Sequence, residues 1–411
     1  MKLGRHFLIN HLCTMFILFG TTSCHWFDME EEYINQRTVL VYMAGDNNLS
    51  YPSSNFLQED LDEMIMAAGE IPNNCRLIIY VDDQDTPRIL TVEQQAGRRP
   101  IAKVLHQYTE EHNSGDTETL RTALKWTINN HPAKSYGLVL WSHGDAWIPR
   151  KSPAQRAVCI DSKSGSWMNI ADIASTLEEF PPMDFIMFDA CFMQTAEVAY
   201  ELRHAARYII ASPAEIPGPG APYHRTIAPM FSFPLDAEGI IDAYYREYYE
   251  NDIFVSNTEY IFGVCLSVVD CAQFDQLTTT TAGMIKKYVS EGSNINLSDA
   301  QCYFPKSSSS YPEFYDMNGY MLRLITDEDD YAVWKEAYDH AVPYRRTTSQ
   351  WYSDYCGGLL DIDIENYGGL SCYVPKRASS HTKWNEAFQS TSWYHATGWK
   401  VWYPATESSE D

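Results

Sequence analysis

The chain has 411 residues, with 55 acidic against 30 basic side chains and a formal charge of −25. So acidic a body argues against nucleic acid or an anionic membrane surface as a partner and favours basic peptides at long range. The length suits one large α/β domain with additions, or two domains.

The first segment carries Lys2 and Arg5, then the mostly apolar "HFLINHLCTMFILFG", then "TTSC" ending at Cys24. A basic start, a short apolar stretch and small residues before a cysteine form a secretory signal peptide over residues 1–23. Asn10 and His11 interrupt the apolar stretch, and it is too short for a spanning helix. Two cleavage readings compete: ordinary removal, or lipidation of Cys24 in a lipobox-like context where Thr21 replaces the usual leucine. Loss of Lys2 and Arg5 would take the charge to −27. Residues 24–36, with "HWFDMEEEY", then read as an acidic tether resembling those of surface-exposed Bacteroides-type lipoproteins. The implied location is outside the cytoplasm, lipid-anchored at the outer membrane, with the anchor as the sole membrane contact.

"RTVLVYMAGDNNLS" (Arg37–Ser50) predicts a buried strand ending in a polar turn, and "CRLIIYVDDQD" (Cys75–Asp85) repeats the pattern. "FLQEDLDEMIMAAGE" between them has helical spacing. "RILTVE" and "AKVLHQY" read as a hairpin around "QQAGRRP". In "DTETLRTALKWTINNHP", Asp116 or Thr117 can cap a helix that Pro132 stops. "YGLVLWSHGDAW" is a near-continuous apolar strand running into His143-Gly144, and "MNIADIASTLEEF" is a helix. "PPMDFIMFDACFMQTAEVAYELRHAA" gives a strand, then Asp189-Ala190-Cys191, then a helix expected to begin near the cysteine. "ARYIIASPAEIPGPGAPY" is a strand dissolving into a Pro/Gly loop. Continuous apolar strands alternating with helices predict a mostly parallel sheet covered on both faces. Residues 37–285 are assigned to this domain and 286–411 to an α+β extension packed on it, with a Trp- and Tyr-rich tail.

Eight cysteines follow Cys24, without a CxxC pair, and the histidines lack metal-ligand spacing, so a structural zinc site is not expected. Most of these cysteines lie in apolar runs and read as small core residues. Cys191 and His143 differ, because each directly follows a buried strand. In parallel sheets, ligands gather beyond the carboxyl ends of strands. If the two strands are neighbours, the side chains emerge together. A helix starting at Cys191 and a nearby imidazolium would both favour thiolate, and the N–H groups of Gly144 and Cys191 could receive an oxyanion. These are the parts of acyl transfer by a cysteine nucleophile. The separation of 48 residues between His143 and Cys191 agrees with the arrangement of caspases. The rival reading is a non-catalytic surface lipoprotein that uses the same scaffold to bind peptide or glycan.

The segments "VLVYMAGDNNL", "YGLVLWSHGDAW", "MDFIMFDACFMQTAEVAYEL" and "YIIASPAEIPGPGAPY" together resemble the clostripain family of cysteine peptidases over about residues 37–225. The resemblance implies a caspase-like αβα sandwich and cleavage after Arg or Lys by a His143–Cys191 dyad. It implies protein or peptide substrates with basic residues, and Asp189 at the floor of the pocket for the residue before the cut. Glu215 and Asp145 are further candidates for that pocket; a helix cap is the alternative role for Asp189. Members of the family cut themselves in the loop after the catalytic histidine, where Arg150, Lys151 and Arg156 are candidate sites here. Calcium is a cofactor by resemblance only; acid-rich turns such as "VDDQD" could bind it, although no EF-hand pattern is present. The molecule is expected to be a monomer.

Overall fold

The computed structural model describes residues 34–83, 85–148, 158–250, 263–304 and 313–403. Its centre is a nine-stranded sheet in the order Tyr344–Thr347, Cys265–Asp270, Ala206–Ala211, Met183–Asp189, Ala133–Trp141, Asn35–Ala44, Cys75–Asp82, Arg88–Glu93, Ile101–Gln107. The middle five strands are parallel. The two at each edge run antiparallel, and the expected hairpin across residues 94–100 is one of those edges. This is a mixed sheet with a mostly parallel centre flanked by helices, as the caspase-like reading required.

Alternation along each strand sends side chains to two separate cores. Leu138 and Leu140 enter one, with Ile186 and Phe188 beside them. Val139 and Trp141 enter the other, with Phe185 and Met187. Both faces must therefore be covered, which explains the continuous apolar runs. The helix Thr117–Asn130 is capped by Asp116, whose carboxylate accepts the Glu118 N–H at 3.0 Å. Its apolar stripe of Leu120, Ala123 and Leu124 packs on the first core.

The division expected after residue 285 falls inside the helix Cys271–Tyr288. Moreover, the strand Tyr344–Thr347 from the later part is the edge of the central sheet, paired with Cys265–Asp270. From Ile34 onward the chain forms one compact unit. The C-terminal part completes the main fold instead of being appended to it.

Candidate active site

The strands ending at Trp141 and Asp189 are parallel neighbours, and these two residues are register partners. His143 and Cys191 each lie two residues beyond that pair, at one edge of the sheet. The Ser142 N–H donates to the Asp189 carbonyl at 3.3 Å, which extends the ladder to the start of the two loops. The His143 carbonyl accepts the Cys159 N–H at 3.2 Å, and Gly144 forms a bridge with Val158. A Cβ on Gly144 would lie 2.7 Å from the Cys191 carbonyl oxygen and 3.0 Å from the Ala190 Cβ. Only glycine permits that approach.

The imidazole is held by a residue that the sequence reading passed over. His143 Nε2 lies 2.7 Å from Asn48 Oδ1, in the turn after the strand Asn35–Ala44. With the proton on Nε2 donated to Asn48, the ring presents Nδ1 as its basic nitrogen. Asn47 beneath it is buried and fixes that turn, donating to the Ala44 and Ile160 carbonyls at 2.8 and 3.2 Å. Asp46, by contrast, contributes its carbonyl to the Ser162 N–H.

Cys191 sits in a turn, not at a helix start. The helix begins at Ala196, capped by Thr195, and has seven residues, Ala196–Leu202. The expected help from a helix N-terminus is therefore absent, because four residues separate the sulfur from the first helical position. Phe192 takes a φ of 62°, and its N–H reaches the Ala214 carbonyl at 2.9 Å. The Gln194 N–H reaches the Ser212 carbonyl at 2.9 Å, so the turn is laced to the chain beyond Ala211. The Ile216 N–H points at Cys191 Sγ from 3.4 Å. Burial pushes the thiol well above its ordinary value, and the Glu215, Asp145 and Asp189 carboxylates push in the same direction against the Ile216 N–H. The sulfur rests as a thiol until a base takes its proton.

Asp189 shares a face with Phe185 and Met187 and is enclosed. Its oxygens accept the Ala221 N–H at 3.1 Å, the Tyr223 hydroxyl at 2.9 Å and the Tyr244 hydroxyl at 3.5 Å. Burial pushes its carboxyl up to about 6 despite those donors. Gly220 arches over it at φ 65°, where a Cβ would lie 2.9 Å from Asp189 Oδ2, and the Tyr248 hydroxyl holds the Gly220 carbonyl at 2.6 Å. Thr195, not Asp189, caps the following helix.

Asp60 was also missed from sequence. It is buried on the helix Phe56–Met66 and accepts the Trp141 indole N–H at 2.6 Å. Burial raises its carboxyl, and the neighbouring Asp189 charge adds to that. The signal was available: Asp60 occupies the apolar stripe of Leu57, Leu61 and Met64.

Glu215 and Asp145 both engage the C-terminal part. Glu215 Oε1 accepts the Asp354 and Tyr355 N–H groups at 2.9 and 3.2 Å, and the Tyr355 hydroxyl donates to Asp145 Oδ1 at 3.4 Å. These hydrogen bonds run to the turn at Asp354–Tyr355. Arg150, Lys151, Arg156 and Cys24 lie outside the described residues. In the "VDDQD" turn Asp83 is paired with Arg88 at 2.8 Å. Among the described residues no three His, Cys, Asp or Glu converge as metal ligands.

Residues 41–402 match the clostripain family. The chain is 29% identical over 223 residues to clostripain of Hathewaya histolytica, a match covering 46% of this chain and 41% of that protein. It thus spans less than half the length of that relative. A secreted C11 cysteine protease of Bacteroides thetaiotaomicron, solved with an irreversible peptide inhibitor, superposes with a TM-score of 0.78 at 32% identity, covering 89% of this chain and 99% of the other. An inactive zymogen C11 protease of Parabacteroides distasonis gives a TM-score of 0.75 at 32% identity, over 89% and 98%.

Proposed function

The chain belongs to the clostripain family, and from that premise we propose that it is a cysteine endopeptidase cutting after Arg or Lys with Cys191 and His143. The observation that carries this reading is the Trp141–Asp189 register. It brings an imidazole and a sulfur from distant parts of the sequence to adjacent strand ends.

In the proposed reaction His143 takes the Cys191 proton as the sulfur attacks the scissile carbonyl carbon. The N–H groups of Gly144 and Cys191 receive the developing oxyanion. His143 then protonates the departing amine and later activates the water that hydrolyses the thioester. The raised thiol makes the base indispensable. Asp189, enclosed and without a cationic partner among the described residues, would gain most from a guanidinium or ammonium group, which would also draw its carboxyl back to the charged form. The proposal extends to export through residues 1–23, anchoring through Cys24, and self-cleavage at Arg150, Lys151 or Arg156. Among the described residues no helix is long and apolar enough to cross a membrane.

The test uses residues 25–411 and their Cys191→Ala form with short Arg, Lys and Asp reporter peptides. Turnover of the Arg and Lys reporters by the first protein alone is expected. Equal turnover by both would remove the sulfur from the chemistry. Intact mass measurement of each protein reads self-cleavage between residues 145 and 158.

A further inference from the structure

The strands that lead to Asn48 and His143 are parallel neighbours, with Met43 and Trp141 as register partners. Asn47 and Ser142, the residues just before Asn48 and His143, are both buried. The Asn47 amide nitrogen lies 3.4 Å from Ser142 Oγ, and the Ser142 hydroxyl donates to the Ala44 carbonyl at 2.8 Å. Ile160 joins the same frame: its N–H reaches Ser142 Oγ at 3.1 Å, and its carbonyl accepts from Asn47 at 3.2 Å. The turn carrying Asn48 is also closed from within. The Leu49 N–H donates to Asn47 Oδ1 at 3.0 Å, and the Ser54 hydroxyl donates to the Asn48 carbonyl. A buried frame thus fixes the two backbones, while the Asn48 side chain stays exposed.

An exposed amide has water as an alternative partner, so its 2.7 Å contact with His143 Nε2 depends on that frame. What the amide supplies is orientation without charge. Its oxygen accepts only from a protonated Nε2, which leaves the Nδ1 lone pair to take a proton. A carboxylate in that place would orient the ring in the same way and would also stabilise imidazolium, as in the Ser-His-Asp arrangement. A neutral partner suits a resting site whose sulfur burial holds as a thiol.

We propose that Asn48 is a positioning residue of the reaction: it fixes the His143 tautomer with Nδ1 as the base, and its lack of charge keeps that base unprotonated until Cys191 supplies the proton. The inference rests on the endopeptidase reading, because Asn48 acts through His143 on the sulfur.

The test compares the full chain with its Asn48→Ala and Asn48→Asp forms by Arg-reporter kinetics across pH, thermal melts and the imidazole nitrogen NMR signals of His143. Asn48→Ala should lower kcat about 10- to 100-fold, the cost of a misplaced catalytic group, with KM within about twofold and Tm unchanged. Asn48→Asp keeps the acceptor, so its best kcat should lie within about fivefold of wild type, while the acid limb moves up by about one pH unit as the new charge favours imidazolium. A residue that merely shaped the turn would not move that limb. Asp46 on the same turn, Asp145 beside His143, and Asp189 and Glu215 near the sulfur are common to all three proteins, so a difference between the profiles belongs to the substituted side chain. The nitrogen signals, which need no turnover, should place the proton on Nε2 in the parent and show mixed tautomers in Asn48→Ala. A parent ring protonated on Nδ1 overturns the proposal, as does wild-type kcat in Asn48→Ala or an unmoved acid limb in Asn48→Asp. Turnover that survives Cys191→Ala would instead remove the endopeptidase reading, and this inference with it.

Discussion

The α-carbon of Gly144 faces the Cys191 carbonyl so closely that an added methyl group would lie 2.7 Å from that oxygen and 2.9 Å from Met193 Sδ. The obstruction is backbone, which cannot swing aside as a side-chain tip can. Gly144→Ala should therefore displace the loop between His143 and the sulfur. A misplacement of this kind costs about 100-fold in rate where two catalytic groups must meet. We expect kcat to fall by about that factor, with a smaller loss of Tm. Reporter kinetics beside a thermal melt would check it, and wild-type kcat would show that the two loops need not stay in register.

Asp189→Asn should separate specificity from folding. An amide with its oxygen at the Oδ2 position still accepts the Ala221 N–H and the Tyr223 hydroxyl, while the charge is lost. Breaking a buried charge pair costs roughly 2–5 kcal/mol. Cleavage of Arg and Lys reporters should thus fall about 100-fold in kcat/KM, while alkylation of Cys191, relieved of one nearby negative charge, should be no slower. An unaltered Arg-to-neutral ratio would refute the pocket assignment.

Much of this was legible in the sequence because fully buried parallel strands must be apolar on both faces. The runs before His143 and Cys191 therefore declared themselves. The strand Tyr344–Thr347 did not, since "YRRT" is short, polar and half-exposed at an edge. Without it, the later part of the chain looked detachable. Cys191 was misplaced relative to the helix for a different reason: helical spacing begins in "TAEVAYEL", yet the preceding turn consumes four residues with no Pro or Gly to mark it. Thr195 in that segment was a readable cap. Asn48 carried no periodic signal at all, because its role is one hydrogen bond across to another loop.

The carboxylates beside the sulfur set a direction for its reactivity. Burial raises the Cys191 thiol first, and Glu215 and Asp145 raise it further. Asp145→Asn retains an oxygen for the Tyr355 hydroxyl but removes one negative charge. The thiol should then ionise at lower pH, and iodoacetamide should alkylate it about two- to fivefold faster at neutral pH. The check is alkylation rate against pH for both proteins. A profile moved to higher pH would mean that Asp145 acts through the position of Tyr355 and not through its charge.

Folding stability should fall as the pH rises from about 4 to about 7, opposite to the usual expectation for an acidic protein. Burial pushes Asp82 up to about 7, with Asp161 and Asp46 adding to it and the Ser114 hydroxyl only partly offsetting it. Burial likewise takes Glu197 up to about 7 and Asp189 up to about 6. In the unfolded chain such groups titrate near 4. Between those values the folded state therefore holds protons that the unfolded state has released, so each group contributes stability below pH 4 and loses it on passing its folded value. Each one costs about 1.4 kcal/mol per pH unit in that window. The paired acids Asp83 and Asp242 lie below their ordinary values, so their opposite dependence is confined to more acidic solution. Urea midpoints should thus be higher at pH 5 than at pH 8, and Asp82→Asn should flatten the slope by its share. His112, His131 and His381, held below their ordinary value by burial, oppose this slope, so a midpoint that rises between those pH values would mean that they outweigh the three carboxyl groups.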